Sequence, residues 1–281
     1  MNETHARLID GATQVIHDLL SPAPAMALAA TLDRDAGPKL GDALPPIWHW
    51  LYFWSVAQQS DLGADGHPRT GGFLPDLGLP RRMAAGGRLF FHQPLRIGDA
   101  ATRTSRVLSI ENKTGRSGRL AFVTVEHAIA AAGHTVIREE QDIVYREAAE
   151  PGAPPPRPQP TPSGAHWQRE ILPSEALLFR YSALTFNGHR IHYDRDYARN
   201  AEGYPDLVVH GPLIATLLLD LLARSLPRAT VLEYAFKAVR PTFLGHAFTL
   251  CGQPSADGKS VELWAQDHEG WLTMSARATL A

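Results

Sequence analysis

The sequence predicts an α+β protein built twice over, each half an antiparallel sheet wrapped on one central helix. Three observations carry that prediction. Residues 149–163 read AEPGAPPPRPQPTPS, a run whose prolines remove backbone donors and favour extended polyproline geometry, so it divides the chain. On either side a β-rich run, GGRLFFHQPLRI or LEYAFKAVRPTFL, closes on Pro-x-x-x-Gly, with Pro94 and Gly98 in one copy and Pro241 and Gly245 at equal spacing in the other. After each glycine come three runs that alternate as strands do.

Taken in order, the first half (1–148) opens on residues 1–20, where Glu3, Arg7, Asp10 and Asp18 interrupt the apolar positions and no export signal is read. Residues 46–56, PIWHWLYFWSV, stand where a central helix is needed. Strand-like runs follow at 86–97, 101–110, 120–130 and 135–145, with turns at 111–118 and 131–134 rich in residues that tolerate left-handed geometry. The second half (164–281) carries PLIATLLLDLLA at 212–223, with a proline in its first turn and apolar residues nearly all round, the pattern of a buried helix. Its strands are read at 232–244, 247–251, 260–267 and 271–280, turning at 254–259 and 267–270. An antiparallel sheet round one helix, made twice, is a double hot-dog architecture.

A chain of 281 residues with 44% hydrophobic content can bury a large core. Its net charge of -2 offers no basic field to gather nucleic acid or an anionic membrane. The longest apolar stretches, 25–32 and 212–219, fall far short of the roughly 20 residues a spanning helix requires. A soluble, cytoplasmic protein is expected. Cys251 is the single cysteine, which excludes an internal disulfide and a thiolate metal cluster.

The densest polar run is 180–196, RYSALTFNGHRIHYDRD, which gathers Asn187, His189, Arg190, His192, Tyr193 and Asp194. Downstream, VVHGPL at 208–213 puts Gly211 immediately before the predicted buried helix. A glycine there lets a ligand approach unpaired N–H groups and a positive dipole end that suit a negative oxygen.

This stretch resembles the motif of MaoC-like (R)-specific enoyl-CoA hydratases, in which Asp, any residue and Asn-Pro-Leu-His are followed by a further Asp. His192 and Asp194 match it, whereas Asn187 stands at the aspartate, His189 at the asparagine and Arg190 at the proline. Those departures, with LPPIWHWLYF (44–53), LGADGHPRTGGFLP (62–75), PRRMAAGGRLFFHQPLRIGD (80–99) and EEQDIVYR (139–146), are similar to the hydroxyacyl-thioester dehydratase branch, and within it to hydratases of 3-methylfumaryl-CoA (mesaconyl-CoA). The resemblance implies a hydro-lyase that reversibly adds water to an enoyl-CoA, mesaconyl-CoA giving citramalyl-CoA, with the acyl-CoA thioester as partner, no cofactor and no metal. Alternatives within its reach are an acyl-carrier-protein dehydratase of fatty-acid synthesis, an itaconyl-CoA hydratase, a thioesterase using Asp220, and a non-catalytic thioester-binding module. Room is left for a homodimer.

Hydration of an enoyl thioester needs a base to activate water, an acid to protonate the α-carbon and donors for the enolate oxygen. His192 is expected as base, and His189 as the second acid/base position. Asn187, which cannot take a proton, is left to orient the water or the imidazole. The Gly211 N–H would bind the enolate oxygen, Arg190 a free substrate carboxylate, and Tyr193 would wall the pocket. His67 is read, with His5, His17, His127, His134, His246 and His268, as an ordinary polar residue; Trp48, Trp50 and Trp54 are read as core, and Arg81 and Arg82 as a solvated turn.

Overall fold

In the computed structural model, which describes residues 13–115, 118–148 and 157–281, the first half supplies β1 (Thr13–Leu19), α1 (Pro22–Thr31), β2 (Arg81–Phe91), β3 (Ala100–Gly115), β4 (Gly118–Ala131) and β5 (His134–Arg146). The second half supplies β6 (Trp167–Ile171), α2 (Glu175–Leu184), α3 (Arg195–Asn200), α4 (Gly211–Ser225), β7 (Val231–Ala238), β8 (Phe248–Pro254), β9 (Ser260–Gln266) and β10 (Leu272–Leu280). Period-two alternation makes the long strands: in β4 every second side chain from Ala121 onward is buried, so one face turns inward.

Both halves use one strand order. The sheet runs β1-β3-β4-β5-β2 and continues β7-β10-β9-β8-β6, antiparallel throughout. Two separate sheets were expected; the structure joins them into one of ten strands through β2 and β7. The physical reason is that each edge strand satisfies the other's unpaired N–H and C=O groups. Gly86 and Gly87 permit the approach, since a Cβ on Gly86 would lie 2.5 Å from the Phe236 carbonyl oxygen.

The buried helix of the second half forms as read. In α4, every residue from Leu213 to Leu222 is buried, and Tyr234 Oη donates to the Ala215 carbonyl. The central helix of the first half was placed wrongly. Residues 46–56 give only a 3-10 turn at Trp48–Leu51, flanked by left-handed Ile47 and Phe53, because Trp48, Leu51, Tyr52 and Phe53 each bury a large side chain and His49 and Trp50 both reach Glu139. No single helical stripe meets those demands. The first half's helix is α1, alanine-rich with a proline at its start, which buries Ala25, Leu28 and Ala29 and packs against α2 and the Trp48–Leu51 turn rather than lying in the sheet as α4 does.

Of the proline-rich run, residues 149–156 lie outside the described residues, as do 116–117 within the expected turn at 111–118. The rest of the run lies against β10, where Leu272 N–H donates to the Gln159 carbonyl. A second, smaller core sits at the far end of β3–β5, where Phe73, Leu74, Leu77 and Leu79 pack on Val107, Ile110, Val123 and Tyr145. It anchors the glycine-rich 62–80 segment. Among the described residues no helix is long and apolar enough to cross a membrane.

Candidate active site

The motif sits in a tight connection between α2 and α4. Ser174 caps α2 through Leu177 N–H, and the helix ends at Leu184 before a left-handed Phe186 turns the chain. Asn187 Oδ1 then accepts from His189 N–H at 2.9 Å. A 3-10 turn at Arg190–His192 follows, and Asp194 caps α3 by accepting from Tyr197 N–H. The 207–210 strap runs beside this turn, held by Val208 N–H to the Ile191 carbonyl and Val209 N–H to the Thr242 carbonyl.

That strap fixes the proposed base. The His192 Nδ1–H donates to the Val208 carbonyl at 2.7 Å, which leaves Nε2 with a free lone pair. His210, the residue before α4, stacks on His192 with ring centroids 3.6 Å apart, and its Nε2 pairs with Ser182 Oγ at 2.8 Å. Gly211 begins α4, so its N–H has no partner within the helix and lies beside the histidine stack. His189 packs edge-on to His192, centroids 5.5 Å apart.

Burial governs the electrostatics. It pushes His192 down to about 4 and, reinforced by the charges of His67 and His192, His189 down to about 2. His210 is driven well below its usual range for the same reason. All three rings are therefore neutral near pH 7, as a base must be and an acid must not.

The first half reaches into the site through the 63–68 loop. His67 packs on His189 with centroids 4.1 Å apart, and its Nδ1 lies 2.9 Å from Asp65 Oδ2. Burial works against an ionised Asp65, but the hydrogen bonds and charge of His67 outweigh it and hold the carboxyl down to about 2. Asp65, His67 and His189 each offer one ligand-type atom within 4.8 Å of the others, a spacing a cation could use; in the structure Asp65 and His67 bond each other instead.

Other expected site residues are placed differently from their sequence roles. The Arg190 guanidinium, assigned a substrate carboxylate, is engaged by Asp194 Oδ2 through Nε (3.0 Å) and Nη2 (2.6 Å), by the Ala64 carbonyl through Nη1 (2.9 Å), and by the Tyr197 ring face. Four residues separate Arg190 from Asp194 on a helical turn, so the pair closes locally. Tyr193 is 52% exposed and its hydroxyl donates to the Gly188 carbonyl, so it braces the loop from outside. Asn187 likewise uses its oxygen on its own turn.

Arg81 and Arg82 part company: Arg81 pairs with Glu202 and lies over Tyr204, while Arg82 donates to the Pro68 carbonyl, makes no ion pair among the described residues, and bears electrostatically on Asp65 and His189. Asp220, the thioesterase candidate, is fully buried and held by Arg34, Arg169 and Arg224 at 2.6, 2.6 and 2.7 Å.

Sequence reasoning missed Asp65, His67, His210 and Ser182. The available signals were the Asp-Gly-His-Pro run inside a glycine-rich segment, and a histidine directly before Gly211.

The fold and this site define a thioester dehydratase of the double hot-dog type, and the chain belongs to the hydroxyacyl-thioester dehydratase type 2 family, whose pattern matches residues 47–244. It is 48% identical over 274 residues to the mesaconyl-C(4)-CoA hydratase of Chloroflexus aurantiacus, covering 96% of both chains. It is 27% identical to the mitochondrial hydroxyacyl-thioester dehydratase type 2 of Schizosaccharomyces pombe, over 84% of this chain and 89% of that one. Among solved structures it is similar in fold to HtdX of Mycobacterium tuberculosis, with TM-score 0.69 and 18% identity over 96% of this chain and 100% of that one.

Proposed function

We propose that the chain is a hydro-lyase that adds water to enoyl-CoA thioesters, with 3-methylfumaryl-CoA (mesaconyl-CoA) as its substrate and citramalyl-CoA as the product. The observation that carries this reading is the arrangement of His192: a neutral imidazole, fixed through Nδ1 and open at Nε2, beside the first N–H groups of α4. His192 Nε2 takes a proton from water as the water oxygen bonds to the β-carbon. The π electrons move onto the thioester as an enolate, whose oxygen the Gly211 N–H receives.

The acyl group is supported by the 48% identity to a hydratase bearing that substrate in its name. In 3-methylfumaryl-CoA the free carboxylate lies on the carbon that water attacks, so its anchor belongs beside the activated water. Arg82, a cation at the cluster with no carboxylate partner among the described residues, fits that place better than Arg190, whose donors are taken up by Asp194 and Ala64. Hydrolysis of the thioester is disfavoured by the three arginines around Asp220, which leave the helix no free carboxylate. The cytoplasm is the compartment this reading assigns, and a homodimer is the assembly to test by sedimentation.

The test is a screen of purified protein against 3-methylfumaryl-CoA, itaconyl-CoA, crotonyl-CoA and a longer 2-enoyl-carrier-protein thioester, read by loss of enoyl absorbance and by product mass. Preference for 3-methylfumaryl-CoA is expected. Turnover of the carrier-protein thioester alone would replace the substrate assignment, and turnover of none would refute hydration.

A further inference from the structure

We propose that His67 and Asp65, from the first half, form the acid arm of the active site: His67 delivers the α-carbon proton, and Asp65 positions its ring. The inference rests on hydration, not on which acyl group is hydrated.

Geometry comes first. Both oxygens of Asp65 are used on His67, Oδ1 accepting from its backbone N–H at 3.0 Å and Oδ2 from Nδ1–H at 2.9 Å. A carboxylate only accepts, so Nδ1 carries the proton and Nε2 is the free nitrogen. The ring lies against His189, which in turn packs on His192. The charged and titratable groups facing His67 are Asp65 from its own loop, His189 and His192 from the motif and Arg82 from β2.

The loop is seated without slack. Arg190 N–H donates to the Asp65 carbonyl at 2.9 Å, and Arg190 Nη1 donates to the Ala64 carbonyl. Gly66 has a left-handed φ of +86° and meets Gly188 so closely that a Cβ would lie 2.0 Å from the Gly188 carbonyl oxygen. A loop that needed only to cover the site would not require three backbone anchors on the catalytic motif.

Chemistry supplies the need. Hydration needs one proton taken from water and one delivered to the α-carbon, and Asn187 can do neither. His189 is buried and stays neutral down to about pH 2, so it is a poor acid at neutral pH. His67 is 25% exposed and its Nδ1–H is held by Asp65, so its Nε2 is the ring nitrogen of the cluster placed to exchange a proton with solvent. His192 Nε2 takes a water proton while the C–O bond forms, and the enolate pair then bonds the α-carbon to the proton on His67 Nε2. His192 ends with one proton more and His67 with one fewer, and exchange with solvent at the exposed face of His67 resets both.

The experiment uses the full chain with His67→Gln and Asp65→Asn, assayed on 3-methylfumaryl-CoA and crotonyl-CoA from pH 5 to 10, with and without EDTA. On whichever thioester the wild type hydrates, His67→Gln should lower kcat about 10²-fold or more, leave KM within about threefold, and abolish the alkaline fall of the pH profile. Asp65→Asn should move that alkaline limb to lower pH, which also serves if His67→Gln does not fold. A His67→Gln kcat within threefold of wild type, an alkaline limb unmoved by Asp65→Asn, or wild-type activity lost to EDTA would each overturn the assignment, the last in favour of a cation held by Asp65, His67 and His189. A wild type inactive on both esters would refute hydration and the inference with it.

Discussion

Replacing Asp220 by Asn tests whether the one carboxylate on α4 is structural or catalytic. Its side chain is 0% exposed and sits among Arg34, Arg169 and Arg224, whose side chains are 24%, 24% and 38% exposed. Asparagine has the same shape but keeps one acceptor oxygen and turns an NH₂ donor toward a guanidinium donor. Breaking a buried ion pair on one side costs roughly 3–5 kcal/mol. Because these arginines remain partly hydrated, the lower end applies, about 3 kcal/mol. Urea unfolding should show a lower midpoint with unchanged m-value, and the melting temperature should fall by roughly 6–10 °C. The folded variant should keep its kcat within about twofold at 25 °C. Less than about 1 kcal/mol of destabilisation, or a tenfold loss of kcat at unchanged stability, would refute the structural assignment and return Asp220 to a catalytic role.

Three further outcomes are expected. His192→Ala should abolish hydration while the fold persists by circular dichroism, and retention of more than about a tenth of kcat would sink the base, since acid–base catalysis is worth about 10²–10⁴-fold. Arg82→Met should lower kcat/KM at least about tenfold on 3-methylfumaryl-CoA alone, whereas Arg190→Met should act equally on dicarboxylic and monocarboxylic esters; the reverse pattern would restore the carboxylate to Arg190. Stability should fall on acidification from about pH 6.5 toward pH 4. His192 and His210 stay neutral in the fold while their unfolded forms take up protons, so the unfolded state binds more protons across that window. His192 contributes up to about 1.4 kcal/mol per pH unit there, and His210 acts in the same direction. Urea midpoints identical at pH 7 and pH 5 would show that these rings are not held neutral.

Where sequence reasoning succeeded, one local pattern sufficed. The apolar circumference of 212–223 can only be buried, and the alternation through 120–145 can only be a half-buried hairpin, so α4, β4 and β5 fall within a few residues of the expected bounds. It failed where distant partners decide. The aromatic run at 46–56 has helix-like hydrophobicity, but His49 and Trp50 must reach Glu139 on β5, and that demand breaks the helix. The β2–β7 join was invisible because an edge strand does not announce its neighbour. At the candidate site, the proposed base His192 and proposed oxyanion donor Gly211 were legible from their motif. His67 was not, since its role depends on a loop from the other half docking on Gly188 and Arg190. Arg190 was assigned a substrate carboxylate with pairing to Asp194 or Asp196 as the alternative, and the structure shows the Asp194 pair.

The two halves share a strand order but not a chemistry, and the difference traces to what each sheet encloses. In the second half a full apolar helix lies in the sheet, and its N-terminus presents free N–H groups beside His192 and His210. The first half has no such terminus at the equivalent place. Its strand β5 buries Glu139, and although burial resists its charge, the bond and charge of His49 and the Trp50 indole N–H hold it ionised. A buried ionised carboxylate repels an enolate brought near it. What the first half can do is present polar groups from its rim, and the β2–β7 pairing holds that rim in register with the motif. Arg82 lies on β2 itself, and the 63–68 loop is pinned to the motif by Arg190 and the Gly66–Gly188 contact. On the proposed mechanism the site is composite: the second half would supply base and oxyanion donor, and the first the charged groups that face them.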